Sequence, residues 1–364
     1  MAMSVTRPAG LAEHVPLSGL STLGVGGPAR YYVRCDSADS VARAAAWASE
    51  KKLSLLILGG GSNLVVADEG FSGLVLHLLV RGVDSVEANG AVEITAGAGE
   101  PWDPLVERAV SAGWAGLECL SGIPGFVGAT PMQNVGAYGQ DVSETITRVR
   151  ALDLGTGKLE NLDREECAFG YRDSRFKRED RGRYVILGVT YRLRPGGAPS
   201  IKYADLERHL AAEGVRAPTL ADTRRAVIDV RRRKSMVIDP DDPNRRSVGS
   251  FFMNPVVPAH QARRIEADLR SAGALGANEK MPAFPAADGR TKLSAAWLIE
   301  RAGLRRGYRR GNAGISTNHT LAIVNCGGAT AQEVVGLARE IRDRVRDRFG
   351  ITLSPEPVFV GLEL

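Results

Sequence analysis

The chain is poor in cysteine, lysine and long apolar runs, and each shortage excludes something. Four cysteines in 364 residues, Cys35, Cys119, Cys167 and Cys326, stand far apart with no CxxC or CxxH pair. That spacing argues against a zinc site and against a disulfide scaffold, so no metal is expected and the thiols read as inert groups in a reducing cytosol. No stretch approaches the roughly 18 apolar residues of a membrane span, and Met1–Leu20 holds no apolar leader segment. A soluble, cytoplasmic protein with no membrane partner is expected. No G-x-x-x-x-G-K-[ST] occurs, which removes a P-loop nucleotidase. Lysine supplies only 8 of the 47 basic residues, so the positive charge is carried by arginine.

Glycine and arginine are what the chain does have. Of 42 glycines, 21 fall in residues 1–139. They have no G-X-Y period, so collagen is excluded, and 44% hydrophobic residues is too many for a disordered glycine-rich chain. The first third therefore needs backbone shapes or close approaches that only glycine allows. Net charge is +5, but residues 222–310 hold 19 basic and 10 acidic side chains, leaving the rest at −4. A localised basic segment suits an anionic small ligand. It does not require nucleic acid, because aromatics there are few and no nucleic-acid motif occurs. The length fits two or three domains of about 100–200 residues.

Residues 1–18 read as a loose lead-in. Strands are expected at 29–35, 53–58, 74–80 and 91–96, and helices at 36–52, with Ser37 or Asp36 as cap, and 101–112. This strand–helix–strand order makes the first part α/β. Residues 120–139 form a long Gly-, Pro-, Gln- and Asn-rich stretch of the kind that is usually functional. Strands follow at 149–154, 184–193 and 321–324, and helices at 219–233, 260–272, 293–302 and 331–349. Residues 240–246 read as a linker.

Gly24-Val25-Gly26-Gly27-Pro28-Ala29 formally matches a dinucleotide fingerprint, but a strand pattern follows where a helix is required, so the match is accidental. Gly59-Gly60-Gly61-Ser62-Asn63-Leu64 presents consecutive backbone N–H groups and two side-chain donors. It reads either as an anion-binding nest or as a tight turn. In Ser121–Ala129, Gly122, Gly125 and Gly128 let backbone lie flat against a planar ligand. Gln133, Asn134 and Tyr138 follow with polar groups for its edges.

These blocks resemble the UDP-N-acetylenolpyruvoylglucosamine reductase family, flavoenzymes of peptidoglycan precursor synthesis. The resemblance spans nearly the whole chain. It also includes Ser21–Gly27, Tyr171-Arg172-Asp173-Ser174-Arg175-Phe176, Gly249-Ser250-Phe251-Phe252-Met253-Asn254-Pro255 and Ser354-Pro355-Glu356. It implies an α+β fold of the FAD-binding vanillyl-alcohol-oxidase type. Two FAD-binding subdomains are expected, at 1–80 (joined by 353–364) and 81–221, with a substrate domain at 222–352. Gly59, Gly60, Gly61, Ser62, Asn63 and Leu64 would take the FAD pyrophosphate. Ile123, Pro124, Gly125, Ala129, Gln133, Asn134, Gly136, Ala137 and Tyr138 would line the flavin, with Arg231 near its ring. The first loop lacks the histidine that tethers flavin in related oxidases, so FAD is expected to be non-covalent.

The implied reaction adds hydride from reduced flavin to C3 of an enolpyruvyl ether on a UDP-sugar. Charge builds at C2 and the carboxylate, which calls for a fixed cation and then a proton. By the resemblance, Arg172 pairs with the carboxylate as a planar fork, Ser250 delivers the proton, and Glu356 stabilises the enol intermediate, with its pKa raised if it donates a hydrogen bond. Tyr203 belongs to a branch of the family with a loop closing over the diphosphate. Lys234 and Asn254 match diphosphate positions. Arg306 replaces a family lysine, with one extra residue, Arg305 or Arg306. His319 either touches substrate or is a structural histidine before a strand. NADPH is expected as co-substrate, using the same site as the UDP-sugar on a monomer; an oxygen-using oxidase of the same fold is the alternative.

Overall fold

The computed structural model describes residues 6–276 and 278–364. The chain divides into two compact units. One comprises the residues up to Ser21, Gly27–Ser62 and Glu69–Pro240; the other comprises Thr22–Gly26, Asn63–Asp68 and Asp241–Leu364.

In the first unit, four strands lie in the order Ala12–Pro16, Pro28–Cys35, Phe71–Leu78, Leu55–Leu58. The last three are parallel, and Ala12–Pro16 runs antiparallel at the edge. This edge strand corrects the expected loose lead-in. It alternates only weakly, and its partner, Pro28–Cys35, supplies the order. Helix Ala38–Glu50 makes the parallel crossover. Ser37 caps it, accepting from the Ser40 N–H, and the helix buries Val41, Ala44 and Trp47.

A second, antiparallel sheet runs Leu159–Asp163, Ile146–Asp153, Tyr184–Pro195, Ala91–Gly97, Val83–Ala88. Its central strand, Tyr184–Pro195, is buried over eight successive residues, as a strand covered on both faces must be. Helix Trp102–Ser111 buries Trp102, Leu105, Val106 and Ala109 in the same core. Two further helices, Ala204–Ala212 and Leu220–Arg233, pack together around Leu206, Leu210, Ala226 and Val227. The second starts in a capping box, Thr219 and Asp222 bonding each other's backbone N–H.

The second unit holds a sheet ordered Ser247–Ser250, Ala322–Asn325, Ala313–Ile315, Arg309–Arg310 and a smaller one ordered Val256–Val257, Thr291–Leu293, Ala283–Pro285. The expected helix over 293–302 starts two residues later, at Ala295, because Leu293 ends a strand and Ser294 caps the helix. Helix Ala331–Phe349 buries Val334, Leu337, Ala338, Ile341 and Val345 at helical spacing. Asp68, from far upstream, accepts from its first N–H groups, Ala331 at 2.7 Å and Gln332 at 3.1 Å. Leu64–Val66 pairs in parallel with Val358–Val360.

Glycines without an explanation in sequence acquire one here. A Cβ on Gly26 would lie 2.8 Å from the Val66 side chain, and Gly24 (φ +70°) sits against Arg246 and Asn325. The buried Asn325 amide donates to the carbonyls of Leu23 at 3.1 Å and Gly24 at 3.2 Å, and its oxygen accepts from Gly327 and Ala329. No helix among the described residues is long and apolar enough to cross a membrane. Burial pushes the thiols of Cys119 and Cys167 up to about 12 and that of Cys35 to about 11, so these sulfurs stay protonated and unreactive.

Candidate active site

The two glycine loops of the first unit touch each other. Ser62 Oγ donates to the Pro124 carbonyl at 3.1 Å. A Cβ on Gly60 would come within 2.9 Å of Gly125 Cα, and one on Gly125 (φ +119°) within 2.7 Å of Ser62 Oγ. Gly61 (φ +63°) sits on the Leu20 carbonyl, 1.9 Å from where its Cβ would be. Close approach thus occurs between the loops themselves, and it holds the half-buried segment Gly122–Phe126 in place. Three further bonds fix that segment: Trp102 N–H to the Gly125 carbonyl at 3.0 Å, Val127 N–H to the Glu100 carbonyl at 2.9 Å, and Gly122 N–H to Asp103 at 2.6 Å. Asp103 also receives both Nη atoms of Arg224, at 2.6 and 2.9 Å. Burial alone would push Asp103 up, but the bonds from Arg224 and Gly122 outweigh it and hold the carboxyl below its usual range.

Arg172 lies beside the second half of the long loop. Its Nη1 bonds the Asn134 carbonyl at 3.3 Å and Asp141 at 3.1 Å, and its Nη2 bonds the Gly136 carbonyl. Asn134 in turn donates to the Gly170 carbonyl at 2.9 Å and accepts from Ser143 N–H. Asn134, Tyr138 and Arg172 all have positive φ, at 45°, 50° and 54°. Such backbone in non-glycine residues is uncommon and clusters where structure is over-determined, as at functional sites. A Cβ on Gly136 would overlap the Asp141 carboxylate and displace it from Arg172. Gln133 and Ala137 lie half-buried in the same stretch, and Ala129 is exposed at the end of the preceding turn.

Tyr138 packs edge-on against the exposed ring of Tyr203, centroids 5.7 Å apart. Burial pushes the Tyr138 hydroxyl up to about 12, opposed by Arg231. Tyr203 immediately precedes helix Ala204–Ala212, a helix not expected from sequence, where only Leu206 and Leu210 mark a face. Lys234, following helix Leu220–Arg233, pairs with Asp205 at 3.3 Å. Arg231 is half-buried: its Nη2 donates to the Met236 carbonyl at 2.6 Å, while its buried Nε has no hydrogen-bond partner among the described residues. Burial pulls this guanidinium below its ordinary value, opposed by Tyr138 and Asp103. A half-buried guanidinium whose buried Nε is unbonded among the described residues, beside Tyr138 and Gly122, fits an anionic or strongly accepting planar group.

In the second unit, Ser250 ends the strand Ser247–Ser250, opposite Ala322. Phe252 bridges Pro355, and Glu356 N–H donates to the Phe251 carbonyl. Asn63 closes the group, its Nδ2 donating to the Glu356 carbonyl at 3.3 Å while its own carbonyl accepts from Val358. Ser250, Glu356, Asn63 and Leu64 are therefore neighbours along paired backbone, all half-buried. Asn254 uses its Oδ1 to accept from Ala295 N–H at 2.9 Å, so it orders the start of a helix. Arg306 is exposed on a turn, and half-buried His319 lies in the turn before Ala322–Asn325, its N–H bonded to Ser316 Oγ. Sequence reading missed Asp103 and Asp141, the acids behind Gly122 and Arg172. Only the position of Asp141, just after the glycine-rich run, could have signalled it.

Residues 29–163 match the family described as FAD binding domain, and residues 241–360 match UDP-N-acetylenolpyruvoylglucosamine reductase, C-terminal domain. The UDP-N-acetylenolpyruvoylglucosamine reductase of Thermobifida fusca is 48% identical over 97% of this chain and 99% of its own length. That of Saccharopolyspora erythraea is also 48% identical, over 96% of this chain and 95% of its own. The chain belongs to the UDP-N-acetylenolpyruvoylglucosamine reductase family. The crystal structure of the family's Thermus caldophilus enzyme superposes with a TM-score of 0.65 at 27% identity, covering 96% of this chain and 98% of that one. The family's FAD-binding match contains both glycine loops, and its C-terminal match contains Ser250, Asn254, Arg306, His319 and Glu356. Arg172, Tyr203, Arg231 and Lys234 lie between the two matches and rest on the full-length kinship. The fold is accordingly the α+β, FAD-binding oxidase type with an added C-terminal domain.

Proposed function

We propose that the chain reduces UDP-N-acetylglucosamine enolpyruvate to UDP-N-acetylmuramate with NADPH, supplying the peptidoglycan precursor. The observation carrying this reading is full-length kinship with the reductases together with the pairing of the Ser250 and Glu356 segments through Phe251 and Phe252. FAD, held non-covalently, supplies hydride transfer to carbon. Gly59, Gly60, Gly61, Ser62, Asn63 and Leu64 would hold its pyrophosphate through backbone N–H groups, and Ile123–Tyr138 and Arg231 would hold its ring. The buried Nε of Arg231, without a hydrogen-bond partner among the described residues, supports that role.

Arg172 offers a guanidinium already oriented by Asp141 and two carbonyls, so binding the substrate carboxylate costs little reordering. Ser250 gives its proton to C2, and Glu356 stabilises the charge that precedes that step. Tyr203, Lys234, Asn254, Arg306 and His319 bind the nucleotide sugar. NADPH and the sugar use one site in turn, in a cytoplasmic monomer. Division of the first unit near residue 80 is supported by its two sheets, the first ending at Leu78 and the second beginning at Val83.

Ser250→Ala tests the assignment in half-reactions. NADPH should still bleach the bound flavin at close to the parent rate, whereas reoxidation by the enolpyruvyl sugar should fall about 10²–10⁴-fold. Survival of both half-reactions would remove Ser250 from proton transfer. Rapid reoxidation by oxygen with no response to the sugar would favour an oxidase.

A further inference from the structure

Helices Ala204–Ala212 and Leu220–Arg233 carry a cluster that the reductase chemistry does not use. His209 Nε2 lies 3.2 Å from Glu213 Oε1 and 3.9 Å from Asp229 Oδ2. The three ligand atoms lie within 4.8 Å of one another. His209 is buried, its side chain only 5% exposed, and Nε2 has no hydrogen-bond partner among the described residues. A buried ring nitrogen aimed at two carboxylates without bonding either needs a third party.

The spacing says what kind. Zinc-type ions bind imidazole and carboxylate at about 2.0–2.2 Å in a tetrahedron, which sets ligand atoms roughly 3.3–3.6 Å apart. The observed separations bracket that edge. One neutral imidazole and two carboxylates balance a divalent charge, and the imidazole favours a transition metal over calcium or magnesium. Asp229 engages Arg232 through Oδ1 at 3.1 Å, leaving Oδ2 for the ion. His209 and Glu213 are one turn apart on one helix face, and Asp229 comes from the neighbouring helix. Sequence patterns missed the site because its third ligand is 16 residues beyond Glu213.

We infer that His209, Glu213 and Asp229 form a zinc-type divalent-metal site, completed by water, that clamps the two helices together. The clamp sits on the helix pair that begins beside Tyr203 and ends at Arg231–Lys234. The Asp205–Lys234 ion pair joins the same helices at their other meeting point. A bound ion would therefore set the position of Tyr203 without entering the reaction.

The test uses untagged, full-length, FAD-loaded protein, stripped with EDTA and desalted. Titration calorimetry with Zn²⁺ should give one equivalent of micromolar or tighter binding. Co²⁺ should give a visible d–d band on the long-wavelength side of the flavin absorption. His209→Ala and Asp229→Asn should each weaken Zn²⁺ binding at least tenfold, and Zn²⁺ should raise the Tm of the parent protein but not of the variants. Should His209→Ala fail to fold, Glu213→Gln serves, since Glu213 is a third exposed. No binding by the parent, or binding unchanged in folded variants, would overturn the site.

Discussion

The backbone N–H of Glu356 donates to the carbonyl of Phe251 at 2.9 Å, so residues distant in sequence are locked one position away from Ser250. The lock is made by main chain, so it does not depend on the Glu356 carboxylate. Glu356→Gln should therefore keep its flavin content and thermal stability. Its reoxidation by the enolpyruvyl sugar should slow by about 10²-fold or more, with NADPH-driven flavin reduction unchanged. Stopped-flow absorbance separates the two; a matching loss in both phases would place Glu356 in cofactor binding.

Gly125→Ala should act on cofactor retention. The new methyl would meet Ser62 Oγ at 2.7 Å from a backbone at φ +119°. Relief requires the two glycine loops to part. Purified variant should carry markedly less flavin per chain, read from its absorbance ratio, and should melt lower by about 1 kcal/mol or more. Full flavin content would show that the loop contact is dispensable.

Asp103 should set an acid limb of stability. Its folded pKa is below its unfolded value of about 3.9. Its contribution is therefore complete above that value and is lost as pH falls through the folded pKa. Asp103→Asn should flatten denaturation midpoints below about pH 4. At pH 7 it should cost about 1–2 kcal/mol, the lower part of the range for a charged hydrogen bond because a third of the side chain meets solvent. An unchanged acid limb would mean Arg224 finds another partner.

Asn325→Asp should be among the most destabilising single-atom changes in the second unit. It replaces a buried donor facing two carbonyls with an acceptor. A loss of about 2–4 kcal/mol is expected in urea denaturation. A loss under about 1 kcal/mol would show that Leu23 and Gly24 are held by other contacts.

Local elements were largely legible. Helix 331–349 follows from its apolar spacing, and helix Leu220–Arg233 begins one residue after the expected start at 219. What escaped was short and dependent on distant partners. Leu64–Val66 is a strand only because Val358–Val360 lies beside it, and Ala12–Pro16 only because of Pro28–Cys35. No window of a dozen residues contains that information. The reacting groups had a different obstacle. One serine, one arginine among 39 and one glutamate between prolines carry no signature of chemistry by type or spacing, and only extended family blocks single them out. Glycine crowding was legible as close approach, but its object was not: Gly60 and Gly125 approach each other, and Gly24 and Gly26 meet side chains of the second unit.

Pairing of Leu64–Val66 with Val358–Val360 also imposes a timetable on synthesis. Leu64–Val66 is made well before its partner and must wait, unpaired, until Val358–Val360 has been made. The second unit cannot complete its fold before Val358–Val360 emerges, whereas the first unit, complete at Pro240, is free to fold earlier. A chain truncated just before Val358 should thus leave a first unit already folded and a second that never closes.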